Sequence, residues 1–267
     1  MLIKRTVQTW NTGPLLSDSC GYIALSHPPS PRRLILAFRG TYSLTNAIAY
    51  LSTIPQEYTP YPGTDDPNTQ PKCPNCTIHT GFYTSWRNTR AVITPHLTTA
   101  LQNYPDYSLV LVGHSLGGAV AAIAALEFQV LGYNPTVTTF GEPRIGNVAL
   151  AAYLDARFNL TSTLLSENPA FRRVTHVDDP VPLLPLSEWG YVQHGAEIFI
   201  AKKDLPPSVE DVRFCAEKGD GGCSGSWGWW KRLQMWQLFF THRDYFWRLG
   251  LCVPDVGFWD RLRLCGE

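Results

Sequence analysis

The sequence predicts an α/β fold, a mostly parallel central sheet with helices on both faces. Two observations predict it. Short apolar, β-branched runs alternate with Ala-rich or amphipathic stretches along most of the chain, as in a doubly wound sheet. One of these alternations, Leu109 to Val130, reads strand, sharp glycine turn, helix, with Ser115 at the turn. The 267 residues are 44% hydrophobic and 16% charged, which excludes disorder and is ample for a core. No linker-like stretch divides them, so a single domain over 1–267 is expected. Lys+Arg and Asp+Glu number 22 each, and no basic stripe is present, so nucleic acid is not an expected partner. No run reaches the roughly 20 apolar residues of a transmembrane helix.

The central feature is Gly113-His114-Ser115-Leu116-Gly117, a G-x-S-x-G elbow. Leu109 to Val112 suits a buried strand, and Ala119 to Val130 suits a helix. The α/β-hydrolase fold places a nucleophilic serine in this context, on a strained turn that needs small neighbours. Gly113 and Gly117 supply the room. Without the context, the same pentapeptide would be an ordinary glycine turn with an incidental serine.

In chain order, Leu34 to Phe38 is a central strand ending in Arg39-Gly40-Thr41. In such hydrolases the loop after this early strand gives one oxyanion-hole N–H and the residue after the nucleophile gives the other. Thr41 and Leu116 are therefore the expected donors. In Ser43 to Thr53, Leu44, Ile48 and Leu51 share one helical face with Ala47. That helix is either a lid with its apolar face on the site or a packed surface helix. Gln56 to Pro74 reads as a Pro-rich loop. Gly81 to Tyr104 reads as an amphipathic helix blemished by Pro95. Thr136 to Phe140 reads as a strand running into Gly141-Glu142-Pro143-Arg144 and then a helix through Phe158. Phe171 to Val177 is a further strand, ending at Asp178-Asp179-Pro180.

The elbow implies the order serine, acid, histidine. Asp178 and Asp179 both follow a strand beyond Ser115. Side chains alternate there, so only one carboxylate should face the base. Among the histidines, His27, His79 and His96 precede the serine. His114 adjoins it and should point elsewhere, and His176 shares the acid's strand. His194 and His242 remain. His242 is favoured, in a loop feeding a short aromatic helix near the C-terminus. His79 and His194 read as hydrogen-bonded structural histidines.

Seven cysteines include Cys73-Pro-Asn-Cys76, which lacks a second C-x-x-C and is not at a βαβ helix start. A metal site or thioredoxin-type pair is therefore not expected. Local disulfides Cys73–Cys76 and Cys215–Cys223 are expected, because each closes a short turn-rich loop. Two N-x-[ST] sequons, at Asn75 and Asn159, are compatible with secretion. The N-terminus shows no apolar signal region. Trp227 to Phe240 is an aromatic run read as core packing or as a flap that docks on lipid.

Together these stretches resemble the secreted fungal class 3 lipase family, which also contains feruloyl esterases. The resemblance rests on Ala37-Phe38-Arg39-Gly40-Thr41, Cys73 to Trp86, Pro105 through Gly118, Phe140 to Asn147, Arg173 to Pro185 and His242 to Cys252. It implies the α/β-hydrolase fold with a short helical lid after Thr41, the acid at Asp179, the base at His242, no cofactor, and secretion. It also implies a leader and a first helix with a cysteine for Cys252, both apparently missing here. Cys252–Cys265 is the alternative pairing. Ala47 stands where family members often carry an aromatic lid anchor. The expected function is a lipase hydrolysing acylglycerols. The rivals are a feruloyl-type esterase acting on cell-wall esters and a catalytically weak lipid-binding homologue.

Overall fold

A computed structural model describes residues 3–12, 19–40, 54–61, 72–160, 169–215, 223–224 and 239–249. The strands are β1 (Ile3–Asn11), β2 (Cys20–Ser26), β3 (Arg33–Arg39), β4 (Pro55–Glu57), β5 (Thr77–His79), β6 (Ser108–His114), β7 (Thr136–Phe140), β8 (Phe171–His176), β9 (Glu197–Ile200) and β10 (Val212–Cys215). The helices are α1 (Thr80–Asn103), α2 (Leu116–Val130) and α3 (Val148–Phe158). Eight strands form one sheet in the order β1-β2-β3-β6-β7-β8-β9-β10. β3, β6, β7, β8 and β9 pair in parallel, and β1, β2 and β10 add antiparallel edges.

The parallel strands put their C-terminal ends on one side of the sheet, where crevices between crossovers collect functional loops. β6 is the strand that ends at the elbow. Its neighbours in register, β3 and β7, end at Arg39 and Phe140, so all three strands end on the same side of the sheet.

α2 explains the burial of the centre. Its Ala-rich sequence gives a thin helix, and every residue from Gly117 to Phe128 is buried. Gly117 and Gly113 permit this approach. A Cβ on Gly117 would lie 2.5 Å from the Phe38 carbonyl oxygen, and one on Gly113 would lie 2.1 Å from that of Gly117. α1 packs one stripe inward, with Phe82, Trp86, Ile93 and Leu97 buried at helical spacing. Pro95 sits inside this helix on its exposed side, where water can solvate the carbonyl that loses its N–H partner. Edge-to-face ring contacts link Trp10 to Phe38, Phe38 to Trp86, and Trp86 to Phe128, joining β1, β3, α1 and α2 through the core.

Two segments depart from the sequence reading. Residues 3–11 form a strand, although their polar composition gave no signal of one. An edge strand with one partner needs few apolar residues, and here Trp10 carries most of the burial. At the start of the proline-rich loop, Pro55–Glu57 pairs antiparallel with Thr77–His79, just beyond its end, as a short ribbon. Disulfides join Cys73 to Cys76 and Cys215 to Cys223, as expected. Cys252, Cys265 and most of the aromatic run, residues 225–238, lie outside the described residues.

Candidate active site

Ser115 follows β6 and precedes the first turn of α2. Its φ of 58° and ψ of −128° are a strained combination for a residue with a side chain. The turn is held by Ser115 N–H donating to the Phe140 carbonyl at 2.9 Å, and by the Ser115 carbonyl accepting from Gly118 N–H at 2.8 Å. Leu116 N–H is the first of α2, one of the helix donors with no intrahelical acceptor. Gly40 reaches the elbow from β3. A Cβ there would lie 3.0 Å from the Ser115 Cβ.

The acid and base meet as the strand-end alternation requires. His242 Nδ1 lies 2.9 and 2.8 Å from the two Asp179 oxygens, and both residues are buried. Asp179 Oδ1 also accepts from Val181 N–H at 2.9 Å, and Oδ2 accepts from the Tyr245 hydroxyl. Burial alone would raise the Asp179 pKa. The His242 charge and the hydrogen bonds from His242, Tyr245 and Val181 outweigh it and hold the carboxyl below its ordinary value. The Tyr245 hydroxyl, buried beside that carboxylate, is pushed well above its ordinary pKa and stays a donor. Asp178 turns away to Lys203, 3.1 Å distant, while its carbonyl accepts from Thr241 Oγ1 at 2.6 Å. A carboxylate can only accept, so His242 carries its proton on Nδ1. Its Nε2 is buried with no hydrogen-bond partner among the described residues.

His242 lies in a 3₁₀ turn, Phe239–Arg243, rather than in a loop before a helix. Asp244 N–H donates back to the Thr241 carbonyl at 2.8 Å, and Arg248 pairs with Asp244, closing the following turn. His114 corrects the sequence reading. It does not point away from the base. Its ring lies against that of His242, with centroids 4.5 Å apart and planes tilted by 35°, and its Nε2–H donates to the His242 carbonyl at 2.7 Å. Burial, and then the nearby His242, lower its pKa to about 4, so it stays neutral and keeps that tautomer. Thus the residue before the nucleophile fixes the backbone of the base.

Gly141 is the other contribution that sequence reasoning missed. With φ of 57°, it sits so close that a Cβ would lie 2.5 Å from the Tyr245 hydroxyl, 2.6 Å from His242 Cε1 and 2.8 Å from Asp179 Oδ2. The turn after it is braced from below. Glu142 bonds His194 Nε2 at 2.9 Å and Thr139 Oγ1 at 2.6 Å, and Arg144 Nη1 donates to the Pro185 carbonyl at 2.9 Å. His194 is thereby structural, as expected, and so is His79, which caps α1 by accepting from Phe82 N–H.

Thr41 and the lid residues Leu44, Ile48 and Leu51 lie outside the described residues. Among the described residues, one group has the atoms to ligate a metal: Glu197, Cys215 and Cys223. The disulfide consumes both of its sulfurs.

The pattern of the family described as Lipase (class 3) matches residues 35–189, more than half of the chain. This chain belongs to the class 3 lipase family. It is similar to Lipase A of Sodiomyces alcalophilus, 50% identical over 310 aligned positions that cover 95% of this chain and 74% of that protein. It is also similar to the secreted mono- and diacylglycerol lipase 2 of Gibberella zeae, 47% identical, covering 97% of this chain and 76% of that one. Among solved structures, the nonglycosylated LIP2 lipase of Yarrowia lipolytica superposes with a TM-score of 0.79 at 29% identity, covering 93% of this chain and 83% of that chain. This lipase family member is accordingly a carboxylic ester hydrolase with the α/β-hydrolase fold. Its disulfides and its secreted relatives put it in the extracellular space. Among the described residues, no helix is long and apolar enough to cross a membrane.

Proposed function

We propose that the chain hydrolyses acylglycerols at a lipid–water interface with Ser115 as nucleophile, His242 as general base and acid, and Asp179 as the residue that orients and charges the base. One observation carries the assignment: the buried Asp179–His242 pair leaves Nε2 without a partner among the described residues, and His114 ties that base to the strained serine turn. His242 Nε2 takes the proton as Ser115 Oγ attacks the ester carbonyl. Asp179 stabilises the imidazolium, which passes its proton to the departing alcohol. Water, deprotonated by His242, then attacks the acyl-serine, and the carboxylic acid leaves as Ser115 recovers its proton. Leu116 N–H and Thr41 N–H hold the oxyanion in both steps. The place of Leu116 N–H in the first turn of α2, where it has no intrahelical acceptor, supports the first, and the close approach of Gly40 to Ser115 supports the second.

The choice of acylglycerols over cell-wall esters is supported by relatives named as mono- and diacylglycerol lipases. The apolar face of Leu44, Ile48 and Leu51 supports a lid that opens against lipid. Burying each such side chain is worth about 1.5–3 kcal/mol, enough together to move a lid equilibrium. The test is hydrolysis of emulsified tri-, di- and monoacylglycerols, a soluble short-chain ester and methyl ferulate, side by side. Turnover of acylglycerols that rises sharply once droplets appear is expected. Fast methyl ferulate cleavage with smooth saturation on acylglycerol would replace this reading with a feruloyl-type esterase.

A further inference from the structure

The sequon Asn75-Cys76-Thr77 has a defined place in the fold. Cys76 N–H donates to the Cys73 carbonyl at 3.2 Å, which makes residues 73–76 a tight turn. Pro74 and Asn75 are its central residues, and Asn75 has φ of 60°, the second central position of a type II turn. Its side chain is exposed at the apex. Among the described residues Asn75 is engaged through its backbone, its carbonyl accepting from Asn147 Nδ2 at 2.7 Å. Asn147 also accepts from Thr77 N–H at 3.1 Å and caps α3 through Leu150 N–H.

Topology decides which end of the molecule this is. Asn147 follows β7, whose parallel neighbour β6 ends at His114, next to Ser115, so the Asn75 turn shares the sheet's C-terminal end with the elbow. Asn159, in the second sequon, ends α3 in the left-handed region after eleven helical residues. That is roughly 16 Å of helix away, toward the opposite end of the sheet.

We propose that Asn75 is an N-glycosylation site and that its glycan forms a hydrophilic rim on the catalytic end of the molecule. During secretion the Asn75 amide nitrogen attacks the anomeric carbon of a lipid-diphosphate-linked oligosaccharide. The nitrogen–carbon bond forms, the carbon–oxygen bond to diphosphate breaks, the amide gives up a proton and the lipid diphosphate leaves. The folded turn then points the product into solvent. The rim half of this proposal rests on the interfacial reading above.

The protein is secreted from a yeast host and weighed before and after endoglycosidase treatment. Asn75→Gly keeps the turn, since glycine suits this φ. It should lose one endoglycosidase-sensitive mass increment, as should Thr77→Ala, while Thr77→Ser retains it. An unchanged increment in Asn75→Gly, or loss only in Asn159→Gln, overturns the site. These masses do not depend on activity, so they stand whether or not the enzyme proves to be a lipase. For the rim, Asn75→Gly should match the parent protein on a soluble ester and shift its adsorption on neutral droplets to lower droplet area. Identical adsorption overturns the rim.

Discussion

Substituting Gly141 by alanine should disable the site without unfolding the protein. The added Cβ would stand 2.5, 2.6 and 2.8 Å from Tyr245, His242 and Asp179, whereas ordinary contact begins at 3.4 Å. These three groups would have to retreat by roughly 0.6–0.9 Å, and misplacement of about 1 Å costs on the order of 10²-fold in rate. The left-handed backbone adds about 1–2 kcal/mol of strain for any residue with a Cβ. Gly132 separates the two effects. Its φ is 85°, but a Cβ there meets nothing within 4 Å. Gly132→Ala should therefore lower the Tm by roughly 2–4 °C and leave kcat alone. Gly141→Ala should lower kcat on a soluble ester by about 10²-fold. The assays are ester turnover and thermal unfolding of both variants. A folded Gly141→Ala protein with the parent's kcat would refute the placement of the base and acid around this turn.

Asp179→Asn should reduce kcat by about 10⁴-fold, because the base loses its tautomer, while Asp178→Asn stays within about tenfold; steady-state kinetics on both variants decide, and the reverse ranking would move the acid to Asp178. The depressed pKa of His114 predicts that stability is complete above pH 6.5 and falls as pH drops toward 4, since only the unfolded state takes up the proton in that window. The loss is about 2–3 kcal/mol, read by denaturant titration, and His114→Gln should flatten that part of the profile. Arg90→Met should cost about 3 kcal/mol by the same measurement, because Glu127 is buried in α2 and Arg90 Nη1 holds it at 2.9 Å; a Glu127→Gln, Arg90→Met pair should recover part of it.

The strongest elements were legible because local and long-range signals agree in them. Leu34–Phe38 and Leu109–Val112 are apolar on both faces, as buried parallel strands must be, Thr136–Phe140 is β-branched, and each lies within its observed strand. The choice between Asp178 and Asp179 was open from the residues, because alternation says only that the two diverge. Lys203 and His242, far apart in sequence, fix which way each turns. β1 and β10 are edge strands with one partner each, and β4 and β9 are only three and four residues long, so their residues carry little periodic signal. His114 illustrates a different limit. Alternation along a strand says where a side chain leaves the backbone, but not that a distant 3₁₀ turn will bring another ring and carbonyl to meet it. Tyr245 left a faint signal in its place three residues after His242 within an aromatic run.

The central claim is that Ser115 attacks esters with help from His242 and Asp179. Its most direct test is stoichiometric labelling with a p-nitrophenyl alkylphosphonate, followed by peptide mass spectrometry. One released p-nitrophenol per chain, a phosphonyl group on Ser115 and parallel loss of acylglycerol hydrolysis are predicted, with labelling abolished in folded His242→Ala. A label on another residue, or full hydrolysis after Ser115 is blocked, would contradict the account.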